Sequence, residues 1–76
     1  MNNTRRRTIK DAVAGIREIR DRIERILDDE QDYYDNIPEN LQSSERAETA
    51  ENAIDCLQSA LESAEELIDN LEEAIA

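Results

Sequence analysis

Histidine, tryptophan and phenylalanine are missing from this 76-residue chain, and cysteine, glycine, proline and methionine occur once each. Each shortage removes a class of chemistry. Zinc, haem, thiol-protease and serine-triad centres need imidazoles or clustered thiolates that are not present, so no catalytic residue, no metal ligand set and no cofactor is expected. The chain reads as a non-enzyme. One cysteine forbids an internal disulfide framework, and Cys56 flanks an apolar stripe, where a small half-hydrophobic residue fits better than a reactive thiol. Gly15 lies inside a helical pattern, which leaves no glycine-rich loop to cradle a phosphate. No apolar run approaches the ~20 residues of a membrane span and no signal-peptide core opens the chain, so a soluble cytoplasmic protein without membrane contact is expected.

What the chain has in abundance is helical periodicity. From Ala47 onward every third and then fourth residue is apolar: Ala47, Ala50, Ile54, Leu57, Leu61, Ala64, Ile68, Leu71 and Ile75. This 3-4 spacing puts all of them on one side of a helix, alternating between positions a and d of a heptad that starts with Ala47 at a. Ala53, Ala60, Leu67 and Ala74 add a third apolar row at g, whereas the e row (Glu51, Gln58, Glu65, Glu72) is polar. Three rows call for more than one partner helix.

The first half carries a similar pattern in Ile9, Ala12, Ile16, Ile19, Ile23, Ile26, Tyr33 and Ile37, interrupted at Glu30 and widened on one side by Val13, Leu27 and Tyr34. Between the two patterns, Pro38 disfavours helix at Ile37 and suits the first turn of a new helix. Asn36 with Glu39 resembles a capping box for that restart, and Ser43 or Ser44 is the alternative cap after one irregular turn. The expected fold is all-α: a single antiparallel two-helix hairpin, coiled-coil-like, with a flexible basic N-terminus (1–7), helix 1 (8–35), a hinge (36–44) and helix 2 (45–75). Helices of that length span roughly 40 to 50 Å at about 1.5 Å per residue.

A lone hairpin of this size buries little, and chains below about 70 to 80 residues usually need staples or partners. Assembly into a homo-oligomeric helical bundle is therefore expected, with Ile16, Ile19, Ile23, Ile26, Ile54, Leu57, Leu61, Ile68 and Leu71 forming the core of the oligomer. A dimeric four-helix bundle is the simplest closed form, and rings of hairpins are also open.

Charge is segregated. Residues 1–25 hold eight basic side chains against four acids, while the other 51 residues hold Arg46 against sixteen acids, for a net charge of −11. Such a field repels nucleic acid and anionic membrane from most of the surface. Helix 1 arginines are expected to meet helix 2 carboxylates, and the Arg5–Arg7 cluster is an alternative anion site. Asp28, Asp29, Glu30 and Asp32 lack the spacing of a calcium loop and read as a solvated charge run.

Residues 33–46 concentrate both tyrosines, the proline, two asparagines, a glutamine, two serines and the one basic residue of the second half. Two readings stand side by side. One is a well-specified helix reversal. The other is a ligand pocket in which Tyr33 or Tyr34 stacks a base, Asn36, Asn40, Gln42 and Ser44 bond its polar edges, and Arg46 takes a phosphate.

The run from Gln31-Asp32-Tyr33-Tyr34-Asp35-Asn36-Ile37-Pro38-Glu39-Asn40-Leu41-Gln42 through Ser44-Glu45-Arg46, followed by the Ala/Leu/Glu heptads to Ile75, resembles a family of short acidic helical-hairpin proteins from bacteriophages, prophages and gut bacteria. The likeness covers residues 28–75. It implies a phage-type accessory protein working inside a bacterial host cell and brings no catalytic residues. Small oligomeric helical phage proteins include antagonists of bacterial immunity, some of them sponges for the nucleotide signals of CBASS and Thoeris systems. By that analogy the expected partners are copies of itself and a cyclic nucleotide or ADP-ribose-type signal, held in pockets of the oligomer. The alternative is an acidic inhibitor, of DNA-mimic or anti-CRISPR type, that binds a host defence protein. A third is a scaffold or assembly protein.

Overall fold

A computed structural model describes residues 1–76 as two long helices folded back on one another, α1 (Asn3–Asp35) and α2 (Glu45–Ala74), joined through a single 3₁₀ turn at Glu39–Leu41. The pair forms a rod whose Cα atoms extend 59 × 15 × 14 Å. No strand is present, and neither helix is long and apolar enough to cross a membrane.

α2 packs with the expected stripe. Ala47, Ala50, Ile54 and Ile68 are buried, and Leu57, Leu61, Ala64, Leu71 and Ile75 are half-buried; within α2, Ala53 is the one other residue that is not exposed. Ala47 and Ala50, 0% and 1% exposed, are small enough to be covered completely at the hinge end of the seam, where Ile37 is also buried.

α1 packs on a stripe rotated by one row from the expected one. Its inward residues are Arg6, Ile9, Val13, Ile16, Arg20, Ile23, Leu27, Glu30 and Tyr34, with Gln31 half-buried beside them, continued by Ile37 beyond the helix end. In heptad terms Val13, Arg20, Leu27 and Tyr34 take position a, and Ile9, Ile16, Ile23, Glu30 and Ile37 take d. Ala12, Ile19, Ile26 and Tyr33, expected in the seam, fall at g and are exposed. Both choices would leave one apolar row outside, because a helix presents two adjacent rows to a single partner helix. The register adopted brings Arg17 to Glu72 and Tyr34 to Glu51, two cross-helix polar contacts on the same flank. Arg20 occupies a seam position by turning its guanidinium outward to Asp21, 3.2 Å away.

The start of α1 also differs from expectation. Helix begins at Asn3 instead of residue 8, since the Asn2 side chain caps it by accepting a hydrogen bond from the Arg5 N–H at 2.8 Å. Arg6 then ties the open end of the rod by donating from its guanidinium to the Ile75 carbonyl at 2.9 Å. This contact gives the basic segment a local partner: the C-terminal carbonyls of α2, where partial negative charge accumulates.

At the other end, Asn36 closes α1 and does not cap the 3₁₀ turn after it. Its backbone N–H donates to Asp32 and Tyr33 carbonyls and its side-chain amide donates to the Asp32 carbonyl at 2.7 Å. Of the two caps considered for α2, the structure uses Ser44, whose Oγ accepts from the Ala47 N–H at 3.3 Å. Glu45 and Glu48 in the first turn add charge of the sign favoured at a helix N-terminus.

Gly15 lies on α1 with nothing within 4 Å of where a side-chain methyl would sit. Gly15→Ala should therefore stabilise the protein by about 0.5 to 1 kcal/mol in urea denaturation, through helix propensity and loss of unfolded-state freedom. Ile54→Ala should destabilise it by about 2 to 4 kcal/mol, because the seam has few buried large side chains to close over the gap.

Candidate functional site

The two flanks of the hairpin are chemically unlike, and three observed contacts show which residues share a side. In an antiparallel helix pair the e rows of both helices lie on one flank and the g rows on the other. Arg17 pairs with Glu72 and the Tyr34 hydroxyl donates to Glu51 at 2.5 Å, marking the e flank. The Arg46 guanidinium lies 5.8 Å from the centre of the Tyr33 ring, marking the g flank.

The hinge residues distribute between these flanks. Tyr33, 43% exposed, and Arg46 come together as a stacked cation–aromatic pair. Tyr34 points to the other flank, so the two rings do not line a common pocket. Gln42 donates to the Ile37 carbonyl at 2.8 Å, while Asn36 and Ser44 are engaged in ending α1 and starting α2. Asn40 is exposed in the 3₁₀ turn. In one hairpin, then, three of the seven side chains assigned to a ligand, Asn36, Gln42 and Ser44, are bonded to the backbone they shape, and Tyr34 is bonded to Glu51. Tyr33 and Arg46 face outward as a pair, with Asn40 exposed in the turn between the helices.

Two open grooves lie along the rod away from the hinge. One, of about 530 Å³, is bordered by Lys10, Val13, Ala14, Arg17, Glu72 and Ile75, and the other, of about 360 Å³, by Arg17, Arg20, Glu65, Ile68, Asp69 and Glu72. Sequence reasoning did not single out Arg17, which both grooves share. Its signal was present in the e-row register against Glu72, which becomes readable once the row containing Val13, Leu27 and Tyr34 is set facing the partner helix.

Acidic side chains follow the same division. All ten acids of α2 fall at b, e or f: Glu45, Glu48, Glu51, Asp55, Glu62, Glu65, Glu66, Asp69, Glu72 and Glu73. None falls at c or g. The c row of α2 is Thr49, Cys56, Ser63 and Asn70, so the side of α2 toward the g flank is small and uncharged, with Cys56 exposed at its border.

Comparison of the chain with family models, with curated proteins and with solved structures finds no match.

The Glu51 carboxylate, by accepting the Tyr34 hydrogen bond, holds that phenol above its usual range near 10; partial burial and the negative charges of Glu51 and Asp35 act in the same direction. A phenol whose folded-state ionisation is raised contributes nothing to pH dependence below its unfolded value, and the protein loses stability as pH rises from there toward the folded value. In a Tyr33→Phe background, where Tyr34 alone reports, ultraviolet titration should show tyrosinate forming above the usual range, and Glu51→Gln should bring it back down.

Proposed function

We propose that this protein is a non-enzymatic, phage-type accessory binding protein that works as a homo-oligomeric helical bundle and occupies a basic surface of a host defence protein through the acidic side of α2. The observation that carries this reading is the placement of the α2 carboxylates. Ten acids fall within residues 45–73 of one unbroken helix. At about 1.5 Å per residue that is roughly one charge per 4 Å of axis, close to the 3.4 Å per charge of one DNA strand. A rigid rod with that charge spacing presents to a basic channel much the same field as the nucleic acid the channel was built for. The resemblance to short phage and prophage proteins supplies the setting, a bacterial cytoplasm.

Sequestration of a cyclic nucleotide or ADP-ribose-type signal is the second reading, favoured by the outward-facing Tyr33–Arg46 pair. A base would stack on the ring and a phosphate would draw on the guanidinium. Of the hinge amides, Asn36 and Gln42 contribute less than the sequence pattern implied, because they are bonded locally, and Asn40 is left exposed.

Salt and competition separate the two. A basic host protein captured by the immobilised chain should elute as salt rises from 0.1 to about 1 M, since screening shortens the reach of exposed charges. Duplex DNA should displace it. Replacing Asp55, Glu62 and Asp69 by their amides should weaken capture at least tenfold with helicity unchanged. Capture that persists at high salt and ignores DNA would count against an acidic mimic. Calorimetric heat with a cyclic di- or trinucleotide or an ADP-ribose derivative, lost in Arg46→Ala, would favour the second reading.

A further inference from the structure

The g flank of the hairpin carries an apolar face that the fold leaves open. Ile19 and Ile26 are each 52% exposed and Leu67 is 47% exposed, on helices whose other flank is polar. In α1 the g row from Ala12 to Tyr33 has no charge; in α2 the adjoining c and g rows have none from Thr49 to Ala74. We propose that this face is the interface for a second copy of the same chain, with the two hairpins related by a two-fold axis parallel to the long axis of the rod. The proposal rests on the homo-oligomer part of the preceding reading and specifies its geometry.

Size, charge and shape each point to a second copy. The uncharged rows cover 12–33 on α1 and 49–74 on α2, roughly 35 Å at about 1.5 Å per residue, and with the rod's 15 Å width they make a face of roughly 500 Å², near the low end of the ~600 to 1,000 Å² per partner of stable interfaces. Every copy carries net charge −11, so two copies associate favourably only along a side from which carboxylates are withdrawn. The g flank of α2 meets that condition, its ten acids lying on the other rows.

Shape then selects the axis. The open row of α1 is large, with Ile19, Ile26 and Tyr33, while the open row of α2 is small apart from Leu67, with Ala53, Ala60 and Ala74. A face that is bulky along one side and shallow along the other complements itself when α1 of each copy lies on α2 of its partner. A two-fold parallel to the rod does this and keeps each residue at its own height. Counting from the Arg17–Glu72 and Tyr34–Glu51 contacts, Ile26 lies level with Ala60 and Ile19 level with Leu67. Ile26 of one copy then settles over Ala60 of the partner, and Ile19 meets Leu67 in one layer of larger side chains. All four helices alternate in direction, as in an up-down-up-down bundle.

Two single-cysteine chains test the arrangement, Ile26→Cys and Ala60→Cys, each with Cys56→Ser. Neither can form an internal disulfide. Mixed and exposed to oxidised glutathione, they should form a disulfide-linked heterodimer in high yield, while each chain alone should yield at least tenfold less dimer. Sedimentation of the unaltered protein should give twice the 8.7 kDa chain mass. A crosslink in the Ile26→Cys chain alone would overturn the axis, and a sedimenting oligomer without the mixed crosslink would overturn the face while leaving self-association standing. A monomer at millimolar concentration would overturn both and leave the face to another protein; the acidic side of α2 would still be testable by salt and DNA competition.

Discussion

A helix can offer a single partner helix two neighbouring rows of side chains, and both helices of this chain carry three apolar rows. That mismatch governs the molecule. α2 resolves it by turning its a and d rows inward and leaving a shallow, alanine-rich row at the edge. α1 resolves it at greater cost, accepting Arg20 and Glu30 into the seam and leaving two isoleucines and a tyrosine outside. Six of 76 residues are buried, so the hairpin holds few of the apolar contacts from which a small domain draws its stability.

The flanks express the same division in electrostatic form. Where e rows face each other, cation meets carboxylate at Arg17 and Glu72, and a phenol meets a carboxylate at Tyr34 and Glu51. Arg17 and Glu72 are both about half exposed, so their pairing contributes on the order of 0.5 kcal/mol and acts mainly to choose register. Where g rows face each other, there is hydrocarbon and one stacked arginine. A hairpin with one wet flank and one greasy flank has an orientation, which a uniformly amphipathic pair would lack.

How much of this was readable from the residues differs between the halves. The α2 stripe follows from spacing and size, because the a and d rows are apolar without a break and carry nearly all the large apolar side chains, the acidic b, e and f rows exclude the opposite side, and the remaining apolar row at g is mostly alanine. α1 was ambiguous: Ala12, Ile19, Ile26 and Tyr33 form an unbroken apolar row, whereas the row that packs inward contains Arg20. Counting apolar residues selects the former. The choice was made by pairing across the interface, which a single helix's periodicity does not contain. The hinge was legible as a reversal, but the division of labour within it was not, since Asn36, Gln42 and Ser44 are as suited to a ligand's edge as to a helix end. Which backbone groups lack partners decides between those uses, and that depends on where each helix stops.

The end of the rod opposite the hinge has a consequence for how the chain reaches its fold. Considered alone, each helix is charged against its own dipole there: α1 opens with three arginines and no acid in its first turn, and α2 finishes on Glu72 and Glu73 with no base in its last. Side by side, the faults cancel, as the bond from Arg6 to the Ile75 carbonyl makes concrete. Neither segment is therefore well suited to forming its terminal turns in isolation. Docking and helix completion become one cooperative event, and the chain's charge asymmetry, costly to either half by itself, serves to make the halves depend on each other.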